Sequence, residues 1–204
     1  MTAADGPLPV IYYIRHGETD WNVEGRLQGG RDITLNARGR GQAAHCGSIL
    51  KDLFGRAGRH ATSYDYVSSP LLRATETMEI ARGALGLDRQ GYRTDDALKE
   101  IAFGEWEGFT IAQLRSHDPQ RLAMREHDKW HFLPPGGESY EMVSKRMDAW
   151  YRRLTRDVVV TAHGGTARGL FAALGIAKPA VAPITDIIQG EVYVIDGSRL
   201  TRYA

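Results

Sequence analysis

The chain has one cysteine, Cys46, so neither an intramolecular disulfide nor a cysteine metal cluster can form, which fits a reducing compartment. Net charge is nearly absent: 26 Lys and Arg stand against 25 Asp and Glu, leaving +1. No global field draws the chain to nucleic acid or to an anionic membrane, so any anion it recognises is recognised locally. Long apolar runs are missing as well. Stretches such as Val10 to Ile14 and Val158 to Val160 fall far short of the ~20 residues that cross a bilayer. The opening segment, MTAADGPLPV, has neither the basic start nor the apolar stretch of a signal peptide. The expectation is a cytoplasmic protein without nucleic-acid or membrane partners. Internal repeats, low-complexity tracts and Pro/Gly/Ser linkers are also lacking, and 204 residues suit one domain, 1–204, better than two.

The remaining composition, 42% hydrophobic and 25% charged, is that of an ordinary globular protein. Its order is an alternation. Val10 to Ile14 reads as a buried strand, and a helix spans about residues 35–53, although Gly39, Gly41 and Gly47 weaken its regularity. Residues 64–68 form a second strand; Ser69 suits a helix N-cap and Pro70 the first helical position of a helix reaching Ala84. Short helices over 110–117 and 119–127 precede the Pro134-Pro135-Gly136-Gly137 turn and a longer helix over 138–154. Residues 157–162 make a third buried strand and 166–174 its following helix. Residues 186–189 and 191–196 read as a strand pair turning at Gly190. Continuous apolar strands alternating with helices predict an α/β fold, a three-layer α/β/α sandwich with a mainly parallel sheet. In such sheets ligands bind beyond the carboxyl ends of the strands.

Three strands end in chemically capable groups. Ile14 is followed by Arg15-His16-Gly17-Glu18-Thr19, Val67 by Ser68-Ser69-Pro70 and then Arg73, and Ala162 by His163-Gly164-Gly165. Of seven histidines, His16 and His163 alone sit between an apolar strand and glycine. Glycine lets backbone N–H groups approach a ligand, and the helix behind Gly164 turns its positive end toward an anion. Two arginine forks would match the two charges of a phosphomonoester. There is no GxxxxGK[ST] loop and no carboxylate cluster spaced for magnesium, so the arginines are assigned the electrostatic work, with no metal and no cofactor. A neutral imidazole is a competent nucleophile near neutral pH, and an adjacent arginine disfavours its protonated form. Transfer through a phosphohistidine then needs one group that protonates the leaving oxygen and afterwards activates water. Glu100, in Leu98-Lys-Glu-Ile-Ala-Phe-Gly-Glu-Trp-Glu-Gly108, is the best placed, with Glu105 and Glu107 as neighbours of the same type.

With Arg15-His16-Gly17-Glu18-Thr19, Asn22, Leu27-Gln28-Gly29, Ser69-Pro-Leu-Leu-Arg-Ala-Thr-Glu-Thr77, Glu100 and Ala162-His163-Gly164 in order, the chain resembles the histidine phosphatase superfamily, the phosphoglycerate mutase-like family. The resemblance implies the phosphoglycerate mutase-like fold. It also implies that His16 is phosphorylated, that Arg15, Arg73 and His163 hold the phosphoryl oxygens, and that Glu100 is the proton donor. Asn22, Thr19, Gln28, Gly29, Gly17 and Gly164 match positions lining the phosphate pocket. Mutases of the family resemble one another in carrying arginine after the catalytic glutamate and further basic residues in a longer insert; here Ile101 follows Glu100. Between Glu100 and Gly137 four basic residues (Arg115, Arg121, Arg125, Lys129) face six acidic ones (Glu100, Glu105, Glu107, Asp118, Glu126, Asp128), and no second anion clamp is visible. The expected function is therefore hydrolysis of a small phosphate ester, with a mutase-type phosphotransferase or a catalytically silent phospho-ligand module as alternatives. The leaving group and the oligomeric state stay open.

Plainer roles exist for several of these residues. His16 and His163 could be a hydrogen-bonded structural pair, Arg73 could pair with Glu76 one turn along its helix, and Cys46, Trp106, Trp130, Phe103 and Tyr140 read as core.

Overall fold

The computed structural model of the protein describes residues 9–204. Its elements in chain order are β1 Ile11–Arg15, α1 Asp20–Val23, α2 Ala37–Arg56, β2 Asp65–Ser68, α3 Leu72–Ala84, β3 Arg93–Thr94, α4 Ile111–His117, α5 Pro119–His127, α6 Tyr140–Tyr151, β4 Val158–Ala162, α7 Gly164–Ala173, β5 Val192–Asp196 and β6 Arg199–Tyr203. One sheet contains all six strands in the order β3-β2-β4-β1-β5-β6. The β3, β2, β4 and β1 strands run parallel, and β5 and β6 are antiparallel additions at one edge.

Period-two patterning separates the two faces. Ile11 and Tyr13 of β1 and Val158 and Val160 of β4 meet residues of α6 and α7, including Val143, Met147, Trp150, Leu170 and Phe171. Tyr12, Ile14 and Val159 point to the other face, onto Cys46, Leu50 and Phe54 of α2 and Met78 of α3. Helices thus cover both faces of a mostly parallel sheet, as expected, and Cys46 is core. A third, smaller cluster of Trp106, Leu114 and Leu122, backed by Leu27, Phe109 and Phe132, holds together the segment that lies between α3 and α6 in the chain.

Parts of the expected layout shift, each for a physical reason. The α2 helix runs unbroken from its Asn36 N-cap despite three glycines, because Gly39 packs against the loop after β1, where a Cβ would lie 2.1 Å from the Glu18 carbonyl oxygen. Neither Ser69 nor Pro70 opens α3. The helix starts at Leu72, whose N–H is taken by Asp32 Oδ1 at 2.7 Å, while the Ser69 hydroxyl is held at 2.7 Å from His163 Nε2. The α7 helix begins two residues early, with His163 itself at the N-cap, and α6 ends at Tyr151. Residues 186–189 are not a strand; the antiparallel pair is β5 and β6, turning at Gly197, where φ is +57°. The backbone groups of 186–189 are engaged by side chains instead: Arg15 Nη1 donates to the Ile187 carbonyl at 2.7 Å, and the Ile188 N–H donates to the Tyr193 hydroxyl at 2.6 Å.

Among the described residues no helix is long and apolar enough to cross a membrane.

Candidate active site

The register of the sheet brings the strand ends to one rim. Arg15 pairs with Ala162 and Ser68 with Thr161. The ladder continues one step further through His16 N–H to the Ala162 carbonyl (2.8 Å) and Ser69 N–H to the Thr161 carbonyl (2.9 Å). His16 and Ser69 are thereby seated on main-chain hydrogen bonds, beside His163, which directly follows β4. The His16 and His163 rings lie 5.2 Å apart, inclined at 58°.

His16 is buried, and its Nδ1 lies 2.7 Å from the Gly17 carbonyl. A carbonyl only accepts, so Nδ1 carries the proton and the lone pair falls on Nε2. Burial, then the charges of Arg73 and Arg15, hold the imidazole well below its ordinary pKa. A neutral ring with a free Nε2 lone pair follows. His163 is also held low, first by burial and then by Arg73; Nε2 is bonded to Ser69, and its buried Nδ1 has no protein partner. Tyr13 fixes the His163 backbone from both sides, its hydroxyl donating to the His163 carbonyl (2.7 Å) and accepting from the His163 N–H (3.1 Å).

Arg73, completely buried, does not pair with Glu76, which instead meets Arg40 and the Leu35 N–H. Its Nη atoms donate to the carbonyls of Arg31 (2.7 Å) and Gly29 (2.9 Å), and its Nε is buried without a partner. Arg15 repeats the arrangement, with Nη1 on Ile187 and an orphan Nε. Burial pushes both guanidinium groups below the usual arginine range, and Glu100 is the leading charge that opposes this in both. Two guanidinium Nε donors and one imidazole nitrogen therefore lie buried and unpaired around His16. In a native protein such groups call for a ligand or water, and an oxyanion is the ligand that accepts from several donors at once.

Glu100 reaches the rim over the first turn of α7. A Cβ on Gly165 would lie 2.3 Å from Glu100 Oε1, so glycine there admits the carboxylate. The same oxygen accepts from the Ile101 N–H at 2.9 Å. Behind it the N–H groups at the start of α7, Gly164 among them, face outward from the helix, where an anion is stabilised by the dipole.

The other expected pocket residues divide. Gly17 and Thr19 stand behind the pocket. The Gly17 N–H donates to Thr77 Oγ1 at 3.1 Å, and a Cβ there would lie 2.2 Å from the Gly39 carbonyl oxygen, so its role is close packing of α2. The Thr19 hydroxyl donates to Asn22 Oδ1 and accepts from the Asn22 N–H and Gln28 Nε2, which exhausts its capacity. Asn22 Oδ1 also accepts from Gln189 Nε2, which reaches the His16 carbonyl too. Gln28 leaves its Oε1 buried and unpaired. Gly29, at φ +51°, presents its carbonyl to Arg73 and makes room for Glu107. Glu107 bonds the Gly30 N–H and pairs with Arg31, and Glu105 is exposed, so neither replaces Glu100.

Sequence reasoning placed Ser69 at the rim but as a helix N-cap, whereas its hydroxyl is bonded to His163. It missed Tyr13, Thr77 and Gln189 as supports of the site; Gln189 could not be found, because 186–189 carries a strand-like pattern. Several of the acids counted over 100–137 have partners close by. Asp118 is bound to Trp106 and Arg121, Asp128 to His131, and Glu107 to the Gly29 loop, whereas Arg125 and Lys129 stand together on one cavity. Among the described residues no three His, Cys, Asp or Glu side chains converge as metal ligands would.

Comparison with known proteins agrees with this geometry. Residues 11–198 match the model of the histidine phosphatase superfamily (branch 1). The chain is 36% identical over 178 residues to a glucosyl-3-phosphoglycerate phosphatase of Mycobacterium tuberculosis, covering 80% of this chain and 74% of that protein. It is 32% identical over 164 residues to 6-phosphofructo-2-kinase/fructose-2,6-bisphosphatase 1 of Bos taurus, spanning 79% of this chain and 32% of that longer protein. Among solved structures, a mycobacterial glucosyl-3-phosphoglycerate phosphatase superimposes with a TM-score of 0.75 at 32% identity, over 91% of this chain and 89% of the other. The alpha-ribazole phosphatase of Shigella flexneri gives 0.76 at 26% identity, over 92% and 90%. By its rim of paired histidines and buried arginines, and by a family match over nearly its whole length, this chain belongs to the histidine phosphatase superfamily, branch 1.

Proposed function

We propose that the protein is a metal-independent phosphomonoesterase that acts on a small phosphorylated metabolite through a phosphohistidine. The observation that carries the reading is the state of His16: buried, neutral, with its Nε2 lone pair free and two guanidinium groups beside it. The Nε2 atom attacks phosphorus, the bond from phosphorus to the ester oxygen breaks, and Glu100 gives its proton to the departing oxygen. Glu100 then takes a proton from water as the water oxygen attacks the phosphohistidine. The N–P bond breaks, inorganic phosphate leaves, and the imidazole and the protonated carboxyl are restored. Arg15, Arg73, His163 and the first N–H groups of α7 balance the equatorial charge. Asn22 and Gln28 complete the polar wall.

The two relatives described above are a phosphatase and a protein that carries a bisphosphatase unit, and Ile101 stands where mutases resemble one another in having arginine; both favour hydrolysis over mutase-type transfer. A silent phospho-ligand module would have no need of both a free imidazole nucleophile and a carboxylate at the same rim.

The test is a rapid quench with a ³²P-labelled ester in the presence of chelator. Label is expected on His16, and His16→Ala is expected to lose about 10⁴-fold in kcat. Activity that needs a divalent ion, or label on another residue, overturns the scheme. Isomerisation of 3-phosphoglycerate without net phosphate release would identify a mutase.

A further inference from the structure

Two hydroxyl groups that take no part in the reaction as written both meet His163. Ser69 lies directly after β2 and Tyr13 lies in the middle of β1, and both side chains are completely buried. They hold different parts of the same residue.

The Ser69 hydroxyl decides where the His163 proton sits. Among the described residues its oxygen has two partners, the Leu71 N–H at 3.4 Å and His163 Nε2 at 2.7 Å. The Leu71 N–H is a donor, so Nε2 is the acceptor open to the hydroxyl proton. Ser69 therefore donates, Nε2 accepts, and the proton of the neutral ring lies on Nδ1. Burial, and then Arg73, keep the ring neutral. Nδ1 is also the nitrogen left buried without a protein partner. With a proton it donates to an anion; in the opposite tautomer it would turn a lone pair toward one and repel it. His16 uses the same tautomer in reverse. Its Nδ1 proton is taken by the Gly17 carbonyl, and the free atom is Nε2 with its lone pair. One ring is left a nucleophile and its neighbour a donor.

Tyr13 fixes the main chain from which that donor is aimed. His163 is the N-cap of α7, with extended backbone at φ −132° and ψ 169° and no side-chain cap bond of its own. Its carbonyl accepts from the Tyr13 hydroxyl at 2.7 Å and from the Ala167 N–H at 3.0 Å, and its N–H donates to the same hydroxyl at 3.1 Å. A single phenol thus holds both peptide groups across the turn from strand to helix, and its ring is fixed in the core beneath the sheet.

We infer that Ser69 and Tyr13 are positioning residues that act through His163. Ser69 keeps the proton on Nδ1 and Tyr13 holds the backbone, so that His163 meets the transferring phosphoryl group as a neutral hydrogen-bond donor. The inference rests on the phosphomonoesterase reading above and adds two residues to it.

The test reads the tautomer directly, by ¹⁵N NMR of histidine-labelled protein near neutral pH, with the His163 signals assigned from their loss in His163→Ala. The wild type should show His163 protonated at Nδ1 and unprotonated at Nε2, a result that requires no Ser69 or Tyr13 variant to fold. In Ser69→Ala the proton should redistribute toward Nε2, and kcat on phenyl phosphate should fall about 10- to 100-fold. Ser69→Thr, which keeps the hydroxyl, should restore the Nδ1 tautomer. Tyr13→Phe, which removes two hydrogen bonds and keeps the ring, should lower kcat about 10-fold with the tautomer unchanged. Both losses should disappear in a His163→Ala background, whereas a merely structural role would lower activity there as well. Wild-type His163 protonated at Nε2, an unmoved tautomer in Ser69→Ala, or equal losses with and without His163 overturns the inference and leaves the hydrolase reading intact. The expected spectrum in a wild type that releases no phosphate from phenyl phosphate overturns the hydrolase reading instead.

Discussion

The rim of the sheet and the segment between α3 and α6 are built by different means. At the rim, His16, Ser69 and His163 are each held by a main-chain hydrogen bond that extends a parallel ladder or by a buried tyrosine clamp. Their geometry is inherited from the largely buried strands β1, β2 and β4 and has little freedom to drift. The segment with α4 and α5 instead stands on a satellite core centred on Trp106, Leu114 and Leu122, with short helices of seven and nine residues. The rim holds the candidate reacting residues; the outer segment carries Arg125 and Lys129 on the wall of a small cavity. A scaffold of this kind lets substrate choice vary while the chemistry stays fixed.

If the two regions are as separate as this, perturbing one should spare the other. The largest effect is expected from Trp106→Ala, which removes a fully buried indole and its bond to Asp118 Oδ2 (3.0 Å), at a cost of about 3–5 kcal/mol. Amide hydrogen exchange should show lost protection across 104–134 with β1 and β4 unchanged; loss throughout the sheet would show that the regions unfold as one. Next comes Arg73→Gln at the rim. It is expected to lower kcat by about 10²–10³-fold with the same substrate ranking across esters, whereas a changed ranking would place Arg73 in recognition of the leaving part.

The smallest effect concerns pH. His16 and His163 titrate well below 6.5 in the folded protein, so below that pH the unfolded chain binds the more protons. Stability from these two groups is complete above about pH 6.5 and declines as pH falls toward their folded values, by up to about 1.4 kcal/mol per pH unit for each histidine. Denaturant titrations from pH 7.5 to 5.5 should show a shallower decline in His163→Asn than in the wild type. An identical slope would mean that His163 is not buried in its neutral form.

Much of the rim was legible before any coordinates, because β-branched runs that end in Arg-His-Gly, Ser-Ser-Pro and His-Gly-Gly place those residues at the carboxyl ends of neighbouring parallel strands. The elements that went astray are those whose backbone is satisfied by distant side chains. Asp32 caps α3 from forty residues away in the chain, so Ser69 is released to His163. Arg15 and Tyr193 occupy the backbone of 187–188, so an apolar run that resembles a strand becomes part of the site wall.

By itself the order of residues determined the fold class, the reacting pair His16 and Glu100 as candidates, and the arginines beside them, since each follows from local periodicity or from a residue type fixed to a strand end. Only the tertiary structure decided which acids were already neutralised. Charges counted along the chain between Glu100 and Gly137 favoured the negative, but charges interact through space, with an energy that depends on distance and burial. Folding tied Asp118, Asp128 and Glu138 to local partners and brought Arg168 beside Arg125 and Lys129, an encounter that no count along the chain contains.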